Sequence, residues 1–124
     1  MRRKRYLYHV TKPENVGSII KDGLRVSMGD HTSFCVYLSE DPLSWYQPGL
    51  DILRVDISGL QDILATTFLP ESDEVIFWGN IPAWKLTKDG FKQRIELVTH
   101  KYVKKYSRPF SGRYENGKKG KENE

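Results

Sequence analysis

The first apolar run is Tyr6-Leu7-Tyr8-His9-Val10, aromatic and β-branched, and it predicts a strand. Thr11 and Glu14 follow at capping-box spacing, and Pro13 falls in a first helical turn, where its missing N–H costs nothing. Val16, Ile19, Ile20 and Leu24 then recur at helical spacing and predict a helix over 13–22 with one buried face. Asp22-Gly23 supplies the stop, with Gly23 in the left-handed region and Leu24 as the apolar contact after it.

Residues 25–33 are polar and read as a loop, and 34–38 as a short strand. Ser39, as a cap, starts a short helix through about Tyr46, which the turn Gln47-Pro48-Gly49 ends. Residues 52–57 form a strand closed by Ser58-Gly59. Residues 60–68 fit either a helix or an extended crossing. Glu74 to Trp78 is a strong strand, followed by a bend over 79–84 and a last strand over 91–99 with Ile95 and Leu97 on one face. No internal repeat is present. The sum is a single α+β domain of about five or six short strands, with helices early and in the middle. The expected layout is a basic arm at 1–5, a folded domain at 6–106 and a disordered tail at 107–124.

A length of 124 residues with 38% hydrophobic content suits one small core and not two. No apolar run reaches the length of a transmembrane helix, so no membrane association is expected. The basic start is not followed by the apolar stretch of a secretory signal. Cys35 is the only cysteine, which excludes an internal disulfide and a multi-cysteine zinc site and fits a cytoplasmic protein. The net charge of +4 is unevenly spread. Residues 1–5 hold four Lys/Arg and no acid, and 101–124 hold eight Lys/Arg against three Glu, which leaves 6–100 at −5. Attraction to a polyanion is therefore assigned to the ends, which otherwise serve as solvated tails.

No Walker loop, dinucleotide glycine fingerprint, HExxH or CxxC occurs. His9, His31 and His100 are too scattered to suggest a metal site, and Cys35, between Phe34 and Val36, reads as a buried thiol. Polar residues do gather at strand ends. His9 and Thr11 share a strand face, Tyr37 and Ser39 repeat that arrangement, and Glu74 opens a third strand. A His, a Tyr and a Glu from three strands can meet in one cleft. From composition and spacing alone, a structural role is the simpler account of each.

Three blocks carry a resemblance. Tyr8-His9-Val10-Thr11, with Asn15, Ser18-Ile19 and Gly23-Leu24 behind it, resembles the opening motif of small ADP-ribosyltransferase-fold proteins. It is similar to the toxins that ADP-ribosylate DNA and, more distantly, to RNA 2′-phosphotransferases. Val36-Tyr37-Leu38-Ser39 with Ser44-Trp45-Tyr46 resembles the second motif of the H-Y-E transferases, and Glu74-Val75-Ile76 with Asn80-Ile81-Pro82 resembles the glutamate strand and its bend. The similarity spans roughly residues 6 to 86.

The resemblance implies an ADP-ribosyltransferase-like split β-sheet and NAD as substrate, with no metal. His9, supported by Thr11, would bond ribose hydroxyls. Tyr37 and Tyr46 would wall the nicotinamide ring, Ser44 would contact its carboxamide, and Ser39 would belong to the same binding set. Glu74 would be the catalytic carboxylate, with His9 and Tyr37 beside it. The acceptor of ADP-ribose is open, with DNA or RNA held through the basic termini as one candidate, in a toxin, defence or phage-encoded role. The alternatives are a non-catalytic nucleotide or nucleic-acid binding module on the same fold, and a phosphotransferase relative. Arg25 and Arg54 are the only arginines between residues 6 and 93, which argues against the last. Glu71 and Asp73 stand beside Glu74 as rival carboxylates. No Glu-x-Glu pair lies around Glu74, which argues against arginine modification.

Overall fold

The structure is a computed structural model that describes residues 5–26, 34–69 and 71–103. It is an α+β domain. Strand β1 (Tyr6–Thr11) leads into helix α1 (Pro13–Asp22), then β2 (Val36–Ser39) and β3 (Asp51–Asp56). A 3₁₀ turn at Leu60–Asp62 precedes β4 (Thr66–Leu69) and β5 (Glu74–Phe77). The chain ends its described part with β6 (Trp84–Thr87), β7 (Gly90–Gln93), β8 (Ile95–Leu97) and a helical stretch over 99–103. Six strands form one antiparallel sheet in the order β4-β5-β2-β1-β3-β8, and β6-β7 is a separate hairpin. No helix among the described residues is long and apolar enough to cross a membrane.

Alternation explains the core. Leu7, Leu38, Leu53, Val55, Val75, Phe77 and Ile95 share one sheet face and are buried together. The apolar stripe of α1, Val16, Ile19 and Ile20, packs against that cluster. After α1 the chain turns back at Gly23, whose φ is 93°. A Cβ there would stand 2.3 Å from the Ile81 carbonyl oxygen, so the residue must lack a side chain. That approach lets Leu24 and Ile81 exchange two backbone hydrogen bonds of 2.8 Å.

Three expectations need correction. Thr11 does not cap α1, because it is held as the last residue of β1 opposite Asp51. The cap position falls to Lys12, with no side-chain cap bond, and the Thr11 hydroxyl instead accepts a bond from Asn15 Nδ2 at 3.3 Å. The helix expected from Ser39 to about Tyr46 does not form: Ser39 ends β2, and bends and turns follow over 40–45. The Asp41 carboxylate takes the Leu43 N–H and the Asp73 carboxylate takes the Asp41 N–H, so side chains replace the helical ladder. The strand expected over 91–99 breaks at Arg94, where the chain changes sheets. The Arg94 N–H bonds to Ala83, while its carbonyl accepts from Asp56 N–H in the main sheet. This break, together with β4 and with β6, which forms where the sequence predicts only the end of a bend, raises the strand count to eight. Residues 1–4 of the expected arm at 1–5, residues 27–33 of the expected loop at 25–33 with His31, residues 104–106 of the expected domain and the whole tail at 107–124 lie outside the described residues.

Candidate functional site

Strand β1 is paired with β3 at six positions but with β2 at only one, Tyr8 opposite Ser39. From that pair the two strands part, towards Thr11 on one side and Val36 on the other. A cavity of about 390 Å³ occupies the opening. Its walls are His9 and Thr11 of β1, Cys35, Val36 and Tyr37 around the start of β2, and the α1 face bearing Asn15, Ser18, Ile19 and Asp22. Gly23, Leu24 and Arg25 close it.

His9 is oriented from the opposite strand. Its Nδ1 lies 3.3 Å from the Tyr37 carbonyl oxygen. A carbonyl only accepts, so Nδ1 carries the proton and Nε2 keeps its lone pair. Burial pushes the imidazole below its ordinary 6.5, and the Tyr37 bond opposes this only in part. His9 is thus a neutral ring with one free acceptor, suited to a hydroxyl donor.

Glu74 sits two strands from His9. The register puts Glu74, Ser39, Tyr8 and Arg54 in one row across β5, β2, β1 and β3. That row lies on the face opposite Leu7 and His9. Burial alone raises the Glu74 carboxyl above its usual value. Of its two rivals, Asp73 is committed to the 41–44 turn, accepting from Asp41 N–H at 3.0 Å and Ser44 Oγ at 2.7 Å. Glu71 is exposed in the turn before β5.

His9, Thr11 and Tyr37 therefore meet at one cavity, while Ser39, Ser44, Tyr46 and Glu74 are not part of its lining. Ser39 is buried and donates to the Asp41 carbonyl at 2.9 Å. Ser44 braces the same turn through Asp73. Tyr46 is half-buried, and burial together with the Asp51 charge raises its phenol above the ordinary 10.0. Among the described residues, no group of three His, Cys, Asp or Glu is placed to hold a metal.

Sequence reasoning placed neither Arg25 nor Asp22 in the site, although both line the cavity. Arg25 is exposed at the cavity and is the one Lys or Arg in its wall among the described residues. Its place follows from the Gly23 turn and from the Leu24–Ile81 bridge that holds the chain after it. Val26 N–H bonds to Asn80 Oδ1 at 2.7 Å and fixes the same segment. No protein-family model matches the chain, and no curated protein matches it either.

Proposed function

We propose that the cavity between β1 and β2 binds NAD and that the domain is an ADP-ribosyltransferase-fold protein. One observation carries this reading. Residues of the opening block, spread from His9 to Leu24, converge on a single cavity at the point where the sheet splits. His9, Thr11, Asn15, Ser18, Ile19, Gly23 and Leu24 all belong to that block and all line the cavity.

The chemistry follows from the residues. Neutral His9 accepts a ribose hydroxyl at Nε2, and Thr11 adds a second hydroxyl partner. Arg25 offers a permanent cation to the diphosphate. The Tyr37 ring, on the Ser39 and Glu74 face by alternation, gives the flat nicotinamide an aromatic neighbour on that side. A ligand seated in the split reaches both faces of the sheet, which is how His9 and Glu74, on opposite faces, serve one molecule. Cleaving the bond from nicotinamide to ribose builds positive charge on the ribose. A fixed carboxylate at Glu74 stabilises charge that exists only in that transition state. Ser39 and Ser44 hold the 39–44 turn in this account, and Tyr46 stands beside it.

The second reading is a binding module without turnover. It is favoured by the position of Glu74 outside the cavity lining. Incubation of the protein with NAD and chromatographic assay of nicotinamide separates the two. Release supports the transferase, and binding without release supports the module.

A further inference from the structure

We propose that a basic groove at the far end of β1 is a second binding site, one that takes the phosphates of a single-stranded polynucleotide. The groove, of about 240 Å³, is lined by Arg5, Arg54, Lys85, Lys92 and Arg94, with Asp56 and Glu96 as its only acids among the described residues. Its local charge is therefore +3, in a domain whose residues 6–100 sum to −5. The overall acidity assigned attraction for polyanions to the chain ends, but folding concentrates cations from four separate stretches onto one surface.

The internal pairings do not neutralise this surface. Arg5 and Lys85 share a single oxygen, Asp56 Oδ2. Arg54 pairs with Glu96 at the edge. Arg94 is buried, and its Nη1 donates to the carbonyls of Asp56 at 2.6 Å and Ser58 at 3.2 Å. Carbonyls orient a guanidinium without cancelling its charge. Its Nε has no partner among the described residues. Lys92 is exposed, directly opposite Lys85 in the hairpin, and makes no ion pair among the described residues. The Arg5 and Arg54 guanidiniums lie over the Tyr6 ring, at 5.2 Å and 4.5 Å from its centre, and this fixes their positions. Such clustered cations repel each other, and a chain of phosphates relieves that repulsion with release of its counterions.

The groove lies at the Tyr6 end of β1 and the cavity at the His9–Thr11 end, and their nearest wall residues on the strand, Tyr6 and His9, are roughly 10 Å apart at about 3.3 Å per residue. A substitution in the groove therefore leaves the cavity intact, and NAD binding and polynucleotide binding fail or succeed independently.

The test is fluorescence anisotropy of a labelled oligothymidylate of about twelve nucleotides with the full-length protein, at salt from about 50 to 200 mM. Lys92→Glu is expected to weaken binding at least about fivefold and to reduce the log–log salt slope by about 1. Arg54→Gln should weaken it similarly, which guards against a folding artefact in either variant. Lys88→Glu makes the same charge change in the hairpin turn outside the groove and should stay within about twofold. Oligoadenylate should bind as oligothymidylate does, because phosphates carry no base information. An equal loss for Lys88→Glu and Lys92→Glu, no loss for either, no binding at low salt, or polyglutamate competing as well as unlabelled oligonucleotide would each overturn the proposal.

Discussion

His9 and Tyr37 are joined across the split in the sheet, Nδ1–H of one donating to the backbone carbonyl of the other at 3.3 Å. The bond lies just beyond the single ladder pair of β1 and β2, Tyr8 opposite Ser39. It spans strands that have already begun to diverge. It fixes the imidazole at the cavity wall and leaves Nε2 as an acceptor. The bond uses the Tyr37 backbone, so it survives any substitution of the Tyr37 side chain.

The state of His9 gives the first prediction. Its pKa is held below 6.5, so the fold favours the neutral ring. The sign follows from linkage: the unfolded chain takes up the proton first as pH falls below 6.5, and stability is eroded there and intact above it. A nuclear magnetic resonance titration should place the His9 midpoint below 6.5. A His9 midpoint at or above 6.5 contradicts the neutral acceptor.

Glu74 and Asp73 should separate cleanly. Glu74→Gln keeps the shape and removes the charge. It should cut nicotinamide release by about 10²-fold while leaving NAD affinity within a few-fold. Asp73→Ala removes the acceptor of two hydrogen bonds that hold the 41–44 turn, at a residue whose φ is 60°. It should lower stability by about 1–3 kcal/mol, read as a fall in melting temperature. The reverse pattern would transfer the catalytic role from Glu74.

Gly23→Ala tests the turn that closes the cavity. The new Cβ meets the Ile81 carbonyl at 2.3 Å and the Ala83 nitrogen at 2.9 Å, both backbone atoms. Neither yields without moving the chain, and φ is positive as well. A loss of about 3 kcal/mol or more is expected in denaturant titration. By contrast, Gly17→Ala faces open space on α1 and should be neutral or slightly stabilising.

Asp56 sets the acid limit of the fold. Burial works to raise its pKa, but bonds from Lys85 and Ser58 outweigh this and hold it at about 2, below the ordinary 3.8. A depressed carboxylate stabilises the fold above its unfolded pKa and ceases to do so as pH falls through its folded value. The melting temperature should therefore drop between about pH 4 and pH 2. Asp56→Asn should lower it at pH 7 and flatten that acid limb.

Much of the frame was legible because it rests on local patterns. The run from Tyr6 to Val10, the stripe Val16-Ile19-Ile20 and the Glu74 strand each announce their own element. What was illegible depends on distant partners. Thr11 has the spacing of a cap, but Asp51 across the ladder claims it for a strand. Ser39 to Tyr46 has the composition of a short helix, but Asp73, some thirty residues on, braces it as turns. Arg94 lies in a run that reads as one strand, and its break follows from two distant backbone partners, Ala83 ahead of the hairpin and Asp56 in the main sheet. The candidate site divides in the same way. His9 and Thr11 share a face by alternation and do share the cavity. Arg25 reaches it only through the bridge of Leu24 to Ile81.

The central claim is that the opening between β1 and β2 is an NAD site anchored by His9. Isothermal titration of NAD into the wild-type protein and His9→Ala, with a melting curve for each, tests it most directly. Saturable binding to the wild type is expected, at least about tenfold weaker in the variant, a loss of about 1.4 kcal/mol, with little change in melting temperature. A large fall in melting temperature with unchanged affinity would make His9 a structural residue, and no binding to the wild type would contradict the claim outright.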